Sequence, residues 1–381
     1  MSGVRTPLWA TERLRHVAAQ AALIGLIALL CGAAGFNLVH NLEARSIRIG
    51  FDYLGQEAGF DISESLLAYD PANSYGRAFL VGLLNTLFVS GIGIVAASVL
   101  GLMIGVARLS PNWLLARLAG LYVESVRNVP LILQLLLWYG LITEILPAAD
   151  QALKFGGIFL SQRGLHLPWP EPHAGWSAAL LGLALAPAAM LLWQWAAARR
   201  GSVAPIWPRL ACCALLPVLG WAAFGAPSEF SHPVLGGFDF EGGKSVSPEF
   251  AALLFGLTIY TAAFIAEIVR GGILAVPKGQ TEAAEALGLS RAQRLRLVIL
   301  PQALRVMMPP LTSQYLNLIK NSSLAVAIGY PDLVSISNTT LNQTGQAIEA
   351  ITLMMAVYLL MSLAISCLMN WHNRRIRLIE R

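Results

Sequence analysis

Apolar runs of membrane-spanning length constrain this 381-residue chain more than any other feature of its sequence. A helix needs about 20 mainly apolar residues to cross a bilayer. The sequence predicts eight such runs, at 17–36, 79–106, 121–142, 176–198, 210–226, 250–267, 303–329 and 347–369. Only 12% of the residues are charged, against about 25% in typical soluble proteins. The sequence therefore predicts an all-α, polytopic membrane protein and excludes ordinary soluble domains.

The positive charges of the chain predict its orientation. The first run is longer than the apolar core of roughly 7–15 residues in a cleaved signal peptide, so we expect a retained span. With eight spans, 18 Lys and Arg residues fall on the side of the two termini and 6 on the other side. Because Lys and Arg concentrate in cytoplasmic loops, both termini are predicted to be cytoplasmic. This topology explains the net charge of +5 without a nucleic-acid partner.

One polar and basic segment, 267–301, lies between two apolar runs on the cytoplasmic side. It contains, in order, Glu282, Ala283, Ala284, Gly288, Leu300 and Pro301. Residues 281–289 favour a helix with Thr281 as its N-cap, and Gly288 is expected to break that helix before a basic amphipathic stretch begins. Two short helices that meet at Gly288 would form a blunt projection from the membrane.

The spacing of these residues resembles the EAA loop of ABC importer permeases, with Val298 where that family usually has Ile. The resemblance implies that 267–301 is a coupling segment that docks on a separate cytoplasmic ATPase. ATP and Mg²⁺ would then be bound by the ATPase, and this chain would be a permease without a cofactor or enzyme activity. The one run reminiscent of a P-loop, 242–245, lacks the required first glycine, because position 238 is Phe238. The alternative for 267–301 is an ordinary surface loop.

A second signature lies at the start of the run 121–142. Glu124 and Arg127, with Tyr122 before them and Pro130 after them, resemble a motif of the polar amino-acid permeases. Residues three apart share one face of a helix, so Glu124 and Arg127 can neutralise each other. They are interpreted either as a structural ion pair at the membrane edge or as residues that contact the substrate.

The run 303–329 is interrupted by polar residues. Pro309 and Pro310 are expected to bend or interrupt the helix. The polar residues beyond them, in a stretch that also resembles the polar amino-acid permeases, are Asn317, Lys320, Asn321, Ser322 and Ser323. Helical spacing places Asn317, Lys320, Asn321 and Leu324 on one stripe. This stripe either lines the substrate path, faces a second permease, or holds helices together with Lys320 paired to a carboxylate.

The resemblance divides the chain into four parts. Residues 79–142 and 250–381 correspond to the five-span core of a type I ABC importer permease, and the second of these parts contains the coupling loop. Residues 1–78 add a cytoplasmic tail, a first span and a periplasmic loop. Residues 143–249 are interpreted as an insertion of two loops around a helical hairpin, with an accessory role. A chain of this design is most similar to the first permease subunit of general L-amino-acid importers.

The resemblance implies a function and a set of partners. The chain would be the permease of an ATP-driven, binding-protein-dependent importer of polar L-amino acids in a bacterial inner membrane, working by alternating access. Its partners would be ATPase subunits, a homologous permease in a heterodimer, and a periplasmic binding protein. One alternative is an ion-driven secondary transporter, with Glu124 and Glu267 as the span-associated carboxylates; the other is a non-transporting scaffold. Four unpaired cysteines inside apolar runs and scattered histidines predict no metal site.

Overall fold

The computed structural model describes residues 12–44, 50–199, 206–237 and 239–376, most of them in α-helices. In chain order the helices are α1 (Glu12–Ala44), α2 (Tyr75–Ala107), α3 (Trp113–Arg127), α4 (Leu131–Gly140), α5 (Ala174–Arg199), α6 (Ile206–Ala223), α7 (Pro248–Leu274), α8 (Lys278–Ala286), α9 (Arg291–Arg294), α10 (Leu300–Asn321), α11 (Leu333–Thr344) and α12 (Ala347–Ile376). One π-helical turn, Leu141–Ile145, follows α4 and another, Leu295–Ile299, follows α9. Three 3-10 helices of the described residues lie at Asp52–Gly55, Ala149–Gln151 and Ser322–Ile328.

Four helices in the described part of the chain are long and apolar enough to cross a membrane. They are α1 within His16–Asn37, α2, α7, and α12 within Ala347–Trp371. A fifth span results if α3 and Leu131–Ile145, which are bent by 102° at their junction, count as one. Helix α10 is long enough but too polar, and the described apolar stretches of α5 and α6 are shorter. The predicted class, a polytopic helical membrane protein, is confirmed, while the number of eight spans stays a prediction.

Short strands replace much of the two loops that were predicted on either side of the α5–α6 hairpin. The strands are β1 (Leu153–Phe155), β2 (Ile158–Ser161), β3 (Gly164–Leu167), β4 (Trp169–Pro170), β5 (Phe230–Ser231), β6 (Val234–Gly236), β7 (Asp239–Glu241) and β8 (Lys244–Val246). All pairings are antiparallel, in a four-stranded sheet of order β1-β2-β3-β8 and in the pairs β4–β5 and β6–β7. The sequence indicates these segments only as loops, because strands of two to four residues leave almost no periodic signal.

The described residues fold into two compact units, and the first comprises those up to Thr86 together with Pro331–Trp371. Its core contains Tyr53, Phe79 and Leu333. Buried polar groups stabilise this core: the Asn85 amide donates to the Pro331 carbonyl at 2.9 Å, and Asp332 accepts from the Ser335 backbone N–H at 2.8 Å as the N-cap of α11. Burial raises the pKa of the Asp332 carboxyl to about 7, although its hydrogen bonds act in the opposite direction.

The second unit comprises Leu87–Tyr330 together with the C-terminal residues from His372. Helix α7 lies at its centre, and α3, α4 and α10 all pack against it. The core includes Leu135 of α4, Leu257 and Ile265 of α7, and Leu318 of α10, all at most 2% exposed. This packing fixes the two helices that lead into and out of the segment 267–301.

Candidate coupling loop and polar sites in the membrane helices

The coupling loop, residues 267–301, begins in the last turns of α7 and leads into α10. Helix α7 ends at Leu274, and α8 begins at Lys278 with Pro277 in the N-cap position. The prediction that Thr281 is the N-cap was wrong, because α8 begins three residues earlier. Proline is compatible with the start of a helix, where its missing N–H has no intrahelical partner.

Gly288 ends α8, and this prediction is confirmed. Its φ of +73° is in the left-handed region. The Gly288 N–H donates to the Glu285 carbonyl at 2.8 Å, and the Leu289 N–H donates to the Ala284 carbonyl at 3.1 Å. These two bonds close the last turn in the manner of a Schellman motif, in which glycine avoids the steric penalty of a Cβ atom.

Side chains on both sides of Gly288 stabilise the loop internally. Ser290 caps α9 by a capping box with Gln293. Glu285 of α8 forms an ion pair with Arg294 of α9. At the base of the loop, the amide of Gln302 donates to that of Gln280 at 3.2 Å. The loop is therefore a defined structure held by contacts among its own neighbours.

The outer surface of the coupling loop is exposed. Of the predicted coupling residues, Glu282, Ala283, Gly288, Leu300 and Pro301 are all exposed, whereas Ala284 is buried. Leu287, beside the glycine, is 78% exposed. An open groove of about 670 Å³ also lies within this region, and Pro277, Gln280, Val298 and Pro301 are among the residues that line it. The exposed residues around Gly288 and this groove define the candidate docking surface of the loop.

Of the two interpretations of Glu124 and Arg127, the ion pair between them does not form. Glu124 is exposed and has no ion-pair partner among the residues that the structure describes. The Arg127 guanidinium lies over the ring of Phe264 on α7, 4.9 Å from its centroid. A cation–π contact with another helix therefore competes with the local pair. Both charges lie in the last turn before the bend at Asn128–Pro130.

The polar stripe of α10 divides into exposed and internal parts. Asn317 and Lys320 are exposed, and Asn321 and Ser323 are less so. Ser322 is fully buried, and its hydroxyl donates to the Ile319 carbonyl at 2.7 Å. The backbone changes from α to 3-10 at Ser322, so Leu324 leaves the stripe and packs on the core of the second unit. No carboxylate pairs with Lys320 in the described part of the chain. The interpretation that Lys320 holds helices together through an ion pair is therefore not supported within this chain.

Pro309 and Pro310 lie inside α10, which continues through both. Of the two outcomes expected at these prolines, an interruption of the helix does not occur, and a bend stays a prediction. Tertiary packing supports the continuous helix, because the neighbouring Met307 is only 3% exposed and belongs to the core of the second unit. Packing of this kind stabilises a helix in which two backbone donors are missing.

The structure also reveals an ion-pair cluster that the sequence prediction missed. Arg108, which directly follows α2, and Arg270 both bind the carboxylate of Glu267. The spacing of Glu267 and Arg270 in the sequence would have indicated half of this cluster. Arg108 could not be found from spacing, because α2 and α7 are far apart in the chain.

No group of three His, Cys, Asp or Glu side chains that could hold a metal ion occurs among the described residues.

Comparison with known proteins identifies the family. A protein-family model, described as the binding-protein-dependent transport system inner membrane component, matches residues 214–378. The matched residues include the coupling loop. The protein YhdX of Escherichia coli (strain K12) is 49% identical across 97% of this chain and 94% of its own length. The general L-amino acid transport system permease protein AapQ of Rhizobium johnstonii is 45% identical across 91% of this chain and 88% of its own length. This chain belongs to the amino-acid ABC transporter permeases.

A third relative agrees with this assignment. The glutamate/glutamine/aspartate/asparagine transport system permease protein BztB of Rhodobacter capsulatus is 41% identical across 94% of both chains. All three relatives align with most of this chain, so the similarity is not restricted to the part that matches the family model. As an amino-acid ABC permease, the chain is an integral membrane subunit of a binding-protein-dependent importer. The predicted family and function are confirmed.

Proposed function

We propose that this permease imports polar L-amino acids and that a separate ATPase drives it through the coupling loop. The observation that supports this most is the exposed surface at the junction of α8 and α9. The loop is held by the Glu285–Arg294 ion pair and by the caps around Gly288, yet Leu287 is 78% exposed. A rigid projection with an exposed leucine can fit into a cleft of a partner and transmit displacement to α7 and α10.

The mechanism that we propose is alternating access. A loaded binding protein docks on the periplasmic side, and ATP brings two ATPase subunits together on the cytoplasmic side. Their movement displaces the coupling loop, and the core helices then open the substrate path inward. ATP and Mg²⁺ are held by the ATPase subunits, and this chain contributes no hydrolytic residue. The termini and the loop are cytoplasmic in this arrangement, in agreement with the distribution of Lys and Arg.

The substrate class follows from the named relatives. AapQ is named for general L-amino acids and BztB for glutamate, glutamine, aspartate and asparagine. We therefore propose a broad range of polar L-amino acids in a bacterial inner membrane. We further propose that the transporter contains a second, homologous permease, so that the membrane part is a heterodimer.

The decisive experiment is reconstitution of the complete transporter. The permease would be purified from membranes with the candidate ATPase, second permease and binding protein, and then placed in lipid vesicles. We expect several polar L-amino acids to stimulate ATP hydrolysis and to be taken up. Uptake that survives ATP depletion but collapses with the proton gradient would instead support a secondary transporter. ATPase association without any uptake would support a scaffold.

A charge placed on the coupling surface tests the docking site directly. Leu287→Glu should reduce co-purification of the ATPase by about tenfold, since burying a charge opposes the docking of an apolar surface. Leu235→Glu is the matched control, because Leu235 is 42% exposed but lies in β6, outside the loop. Equal ATPase recovery in both variants would exclude the α8–α9 junction as the docking surface.

The exposed polar residues of the membrane helices form the candidate substrate path or subunit interface. Asn317 and Lys320 on α10, and Glu124 and Arg127 on α3, are all exposed within this chain. Because an unpaired charge is costly inside a membrane, we propose that Lys320 meets either the substrate or the second permease. Lys320→Gln separates the two: loss of the second permease on purification indicates an interface, whereas intact assembly with weaker substrate dependence of uptake indicates the path.

A further inference from the structure

The carboxylate of Glu267 connects the ends of two membrane helices. Glu267 lies near the end of α7, and Arg108 directly follows α2. The Arg108 guanidinium donates to Oε2 of Glu267, while Nη2 of Arg270 donates to Oε1 at 2.5 Å. The side chains of Arg108, Glu267 and Arg270 are 17%, 30% and 32% exposed. Nε of Arg270 also donates to Oε2, at 3.3 Å, so Arg270 of α7 contacts both oxygens of the carboxylate and Arg108 contacts Oε2.

Two glycines bring α2 close to α7 immediately before this cluster. A Cβ atom at Gly101 would lie 2.6 Å from Cβ of Ile265, and one at Gly105 would lie 2.7 Å from Cβ of Val269. Only glycine permits such an approach, which is typical of small residues at membrane helix interfaces. Arg108 follows Gly101 and Gly105 on the same side of α2, at the end of that helix. The ion pair of Arg108 with Glu267 therefore lies where the close contact between α2 and α7 ends, next to the coupling loop.

The same end of α7 also contacts the helix that leaves the loop. A Cβ atom at Gly272 would lie 2.3 Å from Cγ of Met307 on α10. Only three residues, 275–277, separate α7 from α8. A displacement of α8 therefore acts directly on the last turns of α7, where α10 is held by packing and the end of α2 is held by the ion pair with Arg108.

We propose that Glu267 and Arg108 are positioning residues that transmit displacement of the coupling loop to α2. This inference rests on the proposed function. Apolar contact at Gly101 and Gly105 permits sliding and rotation of the helices, whereas a carboxylate of α7 that is bound by the arginine at the end of α2 fixes their register. The cluster therefore makes the loop ends of α2 and α7 move together when the ATPase displaces the loop.

The test is the amount of amino acid taken up per ATP hydrolysed in the reconstituted transporter. Glu267→Gln keeps the shape of the side chain but removes its charge. We expect the ratio of uptake to ligand-stimulated hydrolysis to fall about fivefold or more, in the usual range of a coupling free energy. Arg117→Ala is the control, because Arg117 is an exposed arginine of α3 without an ion pair in the described part of the chain. It should keep the wild-type ratio.

A charge exchange and a cross-link separate transmission from simple stabilisation. The double variant R108E/E267R should regain much of the lost ratio. In a background without native cysteines, R108C and E267C joined by a reducible bis-thiol linker, which replaces the span of the two original side chains, should restore the ratio of uptake to hydrolysis, because α2 and α7 are then covalently joined. Uptake that is blocked by this cross-link and recovers on its reduction would overturn the inference, since the two helix ends would have to separate during transport.

One other result would overturn the inference, namely a Glu267→Gln variant that keeps the wild-type ratio. This holds whether both rates are unchanged or hydrolysis and uptake fall in parallel, as expected for a general loss of folded transporter. A wild-type complex without ATP-dependent uptake is a different result, because it contradicts the proposed function itself before any variant is compared.

Discussion

The coupling loop and the insertion at 143–249 are both polar segments next to membrane helices, but they are built from contacts of different range. In the coupling loop, Glu285 pairs with Arg294 and Gln280 with Gln302, all within one short stretch. In the insertion, β3 pairs with β8, and the whole α5–α6 hairpin lies between them. The comparison indicates that the loop folds from local signals, whereas the insertion depends on closing a long segment of chain, which costs conformational entropy.

The strongest test of the loop is its glycine. Gly288→Val forces a β-branched residue into the left-handed region at φ +73°, which costs about 1–2 kcal/mol or more. We expect the variant to insert into the membrane normally but to take up about tenfold less amino acid, since the α8–α9 junction changes shape. Uptake into vesicles with the complete transporter measures the effect.

Gly279→Val is the matched control for this prediction. Both glycines have open space where a Cβ atom would be added, but only Gly288 has a positive φ. The control should therefore keep most of the uptake. If both variants transport normally, the shape of the α8–α9 junction is not needed for uptake. The local structure of the coupling loop would then have no special role in transport.

Local signals explain what could be predicted from the sequence. The apolar runs gave the main membrane helices, and a single glycine gave the end of α8, because both depend on residues close in the chain. Even so, the start of α8 was wrong, since Pro277 and not Thr281 precedes its first turn. Helix boundaries are set by a few competing residues and are the least predictable part of an element.

Contacts between distant residues explain what could not be predicted. Arg127 lies over Phe264 instead of pairing with its neighbour Glu124, and Arg108 binds Glu267 on another helix. Neither pairing has a signature in spacing, because each depends on how helices pack. The same is true of the strand pair β3–β8, whose residues Leu165 and Val246 are opposite each other only in the folded chain.

A change of pH should distinguish the two regions next. Burial lowers the pKa of His166 in β3, against the opposing effect of Asp239. The unfolded segment therefore binds this proton more tightly than the folded one, and stability is lost as pH falls through the usual histidine pKa of about 6.5. We expect β3 to lose protection in amide hydrogen exchange over this pH range. The coupling loop contains no histidine and should not change.

His166→Leu provides the control for the pH experiment. The histidine ring is 2% exposed and packs on Phe240, with 4.4 Å between the ring centroids, so an apolar replacement keeps the site filled. Protection of β3 should then be independent of pH over the same range. If the protection of β3 still depends on pH in this variant, a group other than His166 is responsible. The pH dependence would then no longer distinguish the insertion from the coupling loop through this histidine.

A smaller effect is expected from the ion pair inside the loop. Glu285→Gln should lower the free energy of unfolding by about 0.2–1 kcal/mol, the usual range for partly exposed pairs. The effect should lie toward the upper end, because the partner Arg294 is only 17% exposed. Glu282→Gln is the control, as Glu282 is exposed and unpaired among the described residues. Equal thermal shifts in the two variants would contradict a bracing role for the pair.

We expect the smallest effect on transport from the largest change in sequence, the removal of the α5–α6 hairpin. Pro170 and Phe230 lie opposite each other in the β4–β5 pair, so a short turn can replace residues 172–228 without moving either strand. If the hairpin is accessory, the shortened permease should assemble with its partners and show unchanged uptake per ATP hydrolysed. Loss of uptake with normal assembly would show that the hairpin takes part in transport. In that case, the insertion at 143–249 would be as important to transport as the coupling loop. The two regions would then differ in how they fold and not in whether they are needed for function.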